Sequence, residues 1–192
     1  DRLRSRGLGD VYKRQQLFSA KSNPWMGINN NNDKAAQIMS VISDDKDCAE
    51  NVNKFQMVQM ILKTAKEFNI DPVVLACIIR KETHFNHVTG KNGQGLMQLT
   101  KISIQDMFQR PKVYDKKLEQ IKMKYKTPEA LYDAIKKNPE LNMKVGVILF
   151  KAKYNAANGN LAKALENYNG SKAKRSYAAK ILNMIQNYNT LC

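Results

Sequence analysis

The sequence contains few cysteines, prolines and glycines, and it has no long hydrophobic segment. Three Cys, five Pro and nine Gly are spread over 192 residues, which excludes a collagen-like chain and a small disulfide-held scaffold. The longest apolar run covers residues 73–79, far short of the roughly 18 residues that a membrane span requires. No Cys-x-x-Cys pair is present, which argues against zinc-ribbon and thioredoxin-type sites. With 43% apolar residues, the chain can still bury a core of ordinary size.

Acidic residues are scarce relative to basic ones. The 32 Lys and Arg against 17 Asp and Glu give a net charge of +15, which predicts an anionic partner such as nucleic acid, an acidic membrane or cell-wall polymer. The Lys-rich segment 112–126, with Lys116, Lys117, Lys122 and Lys124, is the strongest support for such a partner. The chain is also rich in Asn, so an AT-rich genome would explain the lysines equally well.

Composition divides the chain into three parts. Residues 1–15 hold four of the arginines without any periodicity, and we interpret them as a leader that is not native to the protein. Residues 16–50 are polar and turn-rich, which predicts a linker or N-terminal arm. Residues 51–192 form the predicted domain. Cys77 lies in the apolar run and is predicted to be a buried thiol, whereas Cys48 and Cys192 flank the domain and would pair if the protein is exported.

Apolar residues with i, i+3, i+4 spacing predict one helix after another from about residue 51. The predicted helices cover residues 55–68, 72–83, 101–109, 114–125, 128–137, 139–156, 161–168 and 175–188. Four of these helices follow a residue that can serve as an N-cap, namely Asp71, Thr100, Thr127 and Asn138. After three of these caps, the next residue is Pro. No alternating pattern typical of strands is present, so the predicted fold is all-α or nearly so.

Glu82 stands where an acidic residue is unusual, at the end of the most apolar helix. Leu75, Ile78 and Ile79 share its helical face. Burial and the carbonyl-rich helix end both disfavour a negative charge, so the pKa of Glu82 should be raised. A carboxylic acid that stays partly protonated near neutral pH is suited to general-acid catalysis. An exposed Glu at a frayed helix end is the alternative that this helix alone leaves open.

Five segments together resemble the catalytic domain of lytic transglycosylases, the soluble lytic transglycosylase type of the lysozyme-like superfamily. In family order they are Glu-Thr-His-Phe at 82–85, Gly-Gln-Gly-Leu-Met-Gln-Leu at 93–99, Asn-Met-Lys-Val-Gly at 142–146, Ala-Leu-Glu-Asn-Tyr-Asn-Gly at 164–170, and Tyr177 followed by Ile181. The resemblance covers roughly residues 54–188. Three departures are visible: Thr83 replaces the usual Ser, the Pro after the Gly-Leu-Met-Gln loop is missing, and the Tyr-Asn motif is shortened by one residue.

The resemblance implies a helical lysozyme-like domain with a two-lobed groove for glycan. It implies cleavage of the β-1,4 bond between N-acetylmuramic acid and N-acetylglucosamine of peptidoglycan. Glu82 would act as general acid and then as base, while the sugar's own 6-hydroxyl closes a 1,6-anhydro ring. It further implies that Tyr168 orients the Glu82 carboxyl, and that the substrate-binding residues are Gln98, Met97, Tyr168, Asn169, Gly95, Thr83 and Tyr177.

Other consequences follow for partners, cofactors and location. We expect a monomer that acts on peptidoglycan strands without a cofactor, with no nucleic-acid partner and no integral membrane segment. We expect it in the bacterial cell envelope, secreted, or carried by a phage. His84 and His87 lack the i, i+4 spacing of a helical metal site, so no metal is predicted. Asp106 and Asp115 are the nearest downstream acids, and we interpret both as surface acids.

Two alternative functions stay open at this point. A goose-type lysozyme would share the fold but would deliver water to the cleaved bond. A non-catalytic basic module would hold cell wall or nucleic acid without cutting it. The end group of the product separates these possibilities: an anhydro sugar, a reducing sugar, or no cleavage.

Overall fold

The computed structural model describes residues 31–90 and 92–189, and these form a helical domain. Its helices are α1 Asn31–Ser43, α2 Lys54–Phe68, α3 Pro72–Thr83, α4 Lys101–Gln109, α5 Lys117–Lys124, α6 Pro128–Lys137, α7 Pro139–Ala156, α8 Leu161–Asn169 and α9 Lys174–Asn189. A 3-10 turn at Pro111–Val113 precedes α5. Within the described residues, extended pairing is limited to isolated bridges of Gln94 with Thr89 and Leu99. The predicted all-α fold is therefore confirmed for the described residues.

Side-chain caps fix the starts of the helices, as the sequence predicts. The Asp71 carboxylate accepts hydrogen bonds from the backbone N–H groups of Val73 and Val74 at 2.7 and 3.4 Å. Thr100, Thr127 and Asn138 cap α4, α6 and α7 in the same way. Because each cap satisfies N–H groups that have no partner inside the helix, the boundaries agree with the sequence to within about a residue. The exception is the helix predicted over 114–125, which begins only at Lys117.

Helix α3 lies at the centre of the domain and packs against α1, α2 and α9. Every residue from 72 to 79 is buried on it. Cys77 is fully buried, as predicted, and burial raises the pKa of its thiol to about 12. A helix that is apolar on all sides needs neighbours on all sides, and this requirement fixes α3 as the element around which the others assemble.

The structure corrects the interpretation of residues 16–50 where it describes them. Residues 31–43 form α1, a helix that packs along α2 and α3. Ile38, Val41 and Ile42 are fully buried in the main core. Their i, i+3, i+4 spacing is the ordinary signal of a core-facing helix, and the polar residues before them hid it. This part of the chain is therefore an integral part of the domain rather than an arm.

Several expectations concern residues outside those described. They are the leader at 1–15, the arm residues 16–30, and the pairing of Cys48 with Cys192. Cys48 itself is half-buried against the core. Among the described residues, no helix is long and apolar enough to cross a membrane.

Candidate active site

Glu82 lies in the last turn of α3, and its carboxyl group contacts a tyrosine from a distant part of the chain. The Tyr177 hydroxyl on α9 donates a hydrogen bond to Glu82 Oε1 at 2.5 Å. Tyr177 is 6% exposed, whereas Glu82 is half-buried. The packing of α9 on α3 thus brings the two groups together across 95 residues of sequence.

The environment of Glu82 favours its protonated form. Burial raises the pKa of the carboxyl group above its ordinary value, while the hydrogen bond from Tyr177 and the charge of Lys81 partly oppose this effect. Burial and the negative charge of Glu82 raise the pKa of Tyr177 far above its usual range. Because its pKa lies well above neutral pH, Tyr177 keeps its proton there and donates it to the hydrogen bond, and Glu82 is the group of the pair that can exchange a proton.

A glycine-containing turn at residues 94–99 forms the next part of the site. Backbone hydrogen bonds in both directions join Gln94 and Leu99, at 2.9 and 3.0 Å, and close the turn. Gly95 has a φ of +69°, and a Cβ there would lie 2.3 Å from Nδ2 of Asn142. Only glycine combines this backbone conformation with so close a neighbour. Gln98 also has a positive φ of 46°, and its side-chain Nε2 donates a hydrogen bond to the Gly95 carbonyl at 3.0 Å.

Two side chains outside the turn hold it in place. Asn142, fully buried on α7, donates to the Gln94 carbonyl at 2.8 Å and accepts from the Met97 N–H at 2.9 Å. Thr83 lies beside Glu82, and its hydroxyl is 3.1 Å from the Leu96 carbonyl and 3.3 Å from the Ile79 carbonyl. The turn is thereby attached to α7 and to the helix that carries Glu82.

Asn142 was not among the predicted site residues, although it begins one of the motifs that carry the resemblance. The available signal was the i, i+3, i+4 spacing of Asn142 to Val145 and Gly146, which places its amide on a buried helical face where it needs partners. Its partners lie 45 and 48 residues earlier in the chain, and the sequence alone did not identify them.

The structure changes the expected role of Tyr168. Its hydroxyl donates to the Met97 carbonyl at 2.8 Å, whereas the hydrogen bond to Glu82 comes from Tyr177. The charge of Glu82 still adds to burial in raising the pKa of Tyr168 well above its usual value, so both tyrosines lie close to the acid. The sequence could not choose between them because both face the same region from successive helices.

The remaining predicted substrate-binding residues fall into two groups. Met97 is fully buried against Gly146, and Thr83 is 6% exposed, so both side chains support the site from inside and do not line a groove. Gln98 and Asn169 are half-buried. The Asn169 side chain accepts hydrogen bonds from the N–H and hydroxyl of Ser171, which forms a local turn after α8.

The two histidines face different partners. His84 ends α3 in a left-handed conformation, and its Nδ1 is 2.9 Å from Asp45 Oδ1. His87 Nε2 donates to the Lys136 carbonyl at 3.0 Å. Asp45, Asp47 and His84 bring potential metal-ligand atoms within 4.8 Å of one another. Arg80 Nε also lies 3.6 Å from Asp45 Oδ2 and supplies positive charge to this group.

The two downstream acids take part in structural interactions. Asp106 accepts hydrogen bonds from Arg110 and Tyr114; burial raises its pKa, but these donors outweigh burial and hold the pKa below its usual value. Asp115 is 3.1 Å from Lys151 Nζ and accepts the Lys117 N–H at 3.0 Å. Both carboxylates are therefore stabilised in the charged form by neighbouring donors and cations.

One comparison with known proteins gives a match that spans the region around Glu82. A family model, the transglycosylase SLT domain, matches residues 59–181, a stretch that contains Glu82, the turn, Asn142 and both tyrosines. No curated protein and no solved structure gives a significant match. Since the match covers well over half of the chain, this protein belongs to the transglycosylase SLT domain family.

Proposed function

We propose that this protein is a peptidoglycan lytic transglycosylase in which Glu82 is the only acid–base catalyst. The observation that carries the proposal is the Glu82 carboxyl group: half-buried, with a raised pKa, and hydrogen-bonded to Tyr177 at 2.5 Å. A carboxyl group in such surroundings can hold a proton near neutral pH and release it to a glycosidic oxygen.

The reaction would proceed in two proton transfers. In the first, Glu82 protonates the glycosidic oxygen, and the bond from C1 of N-acetylmuramic acid to that oxygen breaks. In the second, the Glu82 carboxylate takes the proton of the 6-hydroxyl of the same sugar while O6 bonds to C1. The ring closes as a 1,6-anhydro product, Glu82 is protonated again, and no water is consumed. The intramolecular hydroxyl gains the advantage of proximity.

Tyr177 supports both steps by fixing one carboxyl oxygen. Its hydroxyl donates to Oε1, which leaves Oε2 to carry the proton to and from the sugar. The same hydrogen bond stabilises the carboxylate that exists between the two transfers. Tyr177 is therefore a positioning residue that also limits how far burial raises the pKa of Glu82.

The surroundings of the other acids also support a mechanism with one carboxylate. Most glycosidases use two carboxyl groups. Asp106 and Asp115, the nearest downstream acids, are engaged with Arg110, Tyr114 and Lys151. An internal sugar hydroxyl needs no second carboxylate to activate water, which favours transglycosylation over goose-type hydrolysis. A substrate in peptidoglycan would place the protein in the bacterial cell envelope, in the medium, or on a phage.

The test is mass spectrometry of fragments released from purified peptidoglycan by the wild-type protein and by Glu82→Gln. We expect 1,6-anhydro ends from the wild type and a rate lower by roughly 10² to 10⁴ in the variant. Glu129→Gln, an exposed Glu at the start of α6, is the matched control and should retain the wild-type rate.

Each other outcome overturns part of the proposal. Reducing ends would identify a hydrolase of the goose type. Wild-type rates for Glu82→Gln would remove Glu82 from the mechanism. Binding to the wall with no fragments released by any variant would leave a non-catalytic binding module.

A further inference from the structure

A cavity of about 310 Å³ lies on another side of the domain, between the end of α2, α5 and the start of α7. Its walls include two aromatic rings, an aliphatic side chain and three lysines, namely Phe68, Tyr125, Leu141, Lys117, Lys124 and Lys144. The volume is at the lower end of the range of about 300–1,000 Å³ for ligand sites. It suits a small group rather than a polymer chain.

This cavity is separate from the surroundings of Glu82. On α7, Asn142 and Gly146 face the turn at 94–99, whereas Leu141 and Lys144 line the cavity. With 3.6 residues per turn, Asn142 and Lys144 point about 160° apart around the helix. A group bound in the cavity would therefore belong to a part of the ligand away from the bond at Glu82.

The lysines of the cavity differ in their partners. Lys144 Nζ is 3.0 Å from Glu67 and 3.4 Å from Glu140, so its charge is balanced. Among the described residues, no carboxylate lies within ion-pair distance of Lys117 or Lys124. Lys117 Nζ donates to the Glu67 carbonyl, which leaves two of its three N–H donors for a ligand.

Aromatic rings hold these two ammonium groups at the cavity. Lys117 Nζ lies 4.6 Å from the centre of the Phe68 ring, and Lys124 Nζ lies 5.4 Å from that of Tyr125. Such contacts stabilise a cation without neutralising it. Asp115 offsets part of the Lys117 charge. The positive charge that remains on Lys117 and Lys124, beside the rings of Phe68 and Tyr125, suits an anionic group carried on aliphatic atoms.

We propose that this cavity binds a carboxylate group of the peptides attached to the peptidoglycan strand. The proposal rests on the proposed function, because that function supplies the substrate. Glu67 and Glu140 also line the cavity and would repel a continuous polyanion, which favours an isolated peptide carboxylate over the phosphate chain of a nucleic acid. Recognition of the peptide would select strands by their peptide substituents.

The test compares intact peptidoglycan with peptidoglycan whose carboxylates have been converted to primary amides. Both are sedimented with protein carrying Glu82→Gln, so that the wall stays uncut. Lys117→Gln with Lys124→Gln removes the cavity charges. Lys112→Gln with Lys126→Gln is the control, because these exposed lysines of the same segment change the net charge equally but do not line the cavity.

We expect the cavity pair to bind intact wall about tenfold more weakly than the parent, and to lose much less than the parent on amidation, because only the general attraction of its net charge is then affected. The parent and the control pair should both lose about tenfold on amidation. Because Lys117 also caps α2, Lys124→Gln alone is measured too, and it should give part of the loss with an unchanged melting temperature.

Three results would overturn the proposal. One is an equal loss for the cavity pair and the control pair. Another is undiminished amidation sensitivity in the cavity pair. The third is tighter binding of a single-stranded DNA oligonucleotide than of wall fragments through Lys117 and Lys124, which would assign the cavity to nucleic acid. If the wild type releases no 1,6-anhydro ends but its binding to the wall is still weakened by amidation, the proposed function is rejected and the cavity proposal is not.

Discussion

At the scale of single residues, the contact between Glu82 and Tyr177 sets the chemistry of the site. Burial alone would raise the pKa of the carboxyl group, and the tyrosine hydroxyl opposes that rise. In the proposed mechanism Glu82 is a general acid that becomes a base in the same turnover, so both forms of its carboxyl group must be accessible. Burial favours the protonated carboxyl group of Glu82, and the 2.5 Å hydrogen bond from Tyr177 favours the carboxylate. The two effects together keep both forms accessible.

Tyr177→Phe is expected to move the pH dependence of activity upward. Without the hydroxyl, the charged form of Glu82 loses a donor, so the pKa of its carboxyl group rises further. The alkaline limb of kcat/KM for fragment release should shift to higher pH, and the rate at neutral pH should fall by about tenfold. Fragment release measured from about pH 4 to pH 9 checks both effects.

Tyr188→Phe is the matched control for this substitution. The Tyr188 hydroxyl lies 2.7 Å from Arg80 and 2.9 Å from Asp44, so its loss should leave the alkaline limb unchanged. An unshifted limb in Tyr177→Phe would show that the hydrogen bond does not tune Glu82.

At the scale of elements, the turn at residues 94–99 depends on helices that are distant in sequence. Asn142 on α7 contacts both Gln94 and Met97, and Thr83 on α3 contacts Leu96. Gly146, one turn after Asn142, provides the space for Met97. The turn thus keeps its shape through the packing of α3 and α7 rather than through its own residues.

Asn142→Ala should lower the free energy of unfolding by about 2–4 kcal/mol. The substitution leaves the buried Met97 N–H without a partner, which costs about 1–3 kcal/mol. It also removes one of the two hydrogen bonds to the Gln94 carbonyl, which keeps the Leu99 N–H, at a cost of about 1 kcal/mol. Urea unfolding followed by circular dichroism measures the change. Asn155→Ala, on the exposed face of the same helix, is the control and should be neutral or slightly stabilising. Equal midpoints for the two variants would contradict the role assigned to Asn142.

At the scale of the whole molecule, the net charge of +15 would draw the protein to the anionic wall. The structure distinguishes the lysines that the sequence could only count. Lys122, for example, lies 3.7 Å from Glu119 and 5.4 Å from the Phe108 ring, whereas Lys116 is exposed. Under the proposals made above, a surface attraction and the cavity would therefore be separate contributions to wall binding.

Raising the salt concentration from about 0.05 M to about 0.5 M should weaken sedimentation with peptidoglycan markedly, because the Debye length is about 10 Å at 0.1 M and shortens with added salt. Replacing Lys116, Lys117, Lys122 and Lys124 together with Gln should reproduce the effect. Cleavage of a short uncharged chitin-type oligomer should change little in both cases. Salt-insensitive sedimentation would instead favour codon usage as the origin of the lysines.

The sequence by itself determined the helices and their boundaries, because these depend on local signals. Asp71 and Thr127 can cap only the residues that follow them, and the apolar spacing within α3 shows its burial without reference to the rest of the chain. The position of Glu82 at the end of that helix follows directly. In α1 the polar residues before Ile38 obscured the helical spacing of the apolar residues, and the sequence did not predict that residues 31–43 form a core helix.

Only the tertiary structure decided which groups meet at Glu82. The way α3, α7 and α9 cross decides that Tyr177, rather than Tyr168, donates a hydrogen bond to Glu82. It also decides that Met97 and Thr83 are buried and that Asn142 forms hydrogen bonds to the turn at residues 94–99. Helical periodicity gives the face on which a side chain lies, but a hydrogen bond needs its two atoms within about 3 Å. That distance is set by packing between segments up to 95 residues apart, on which local sequence carries no information.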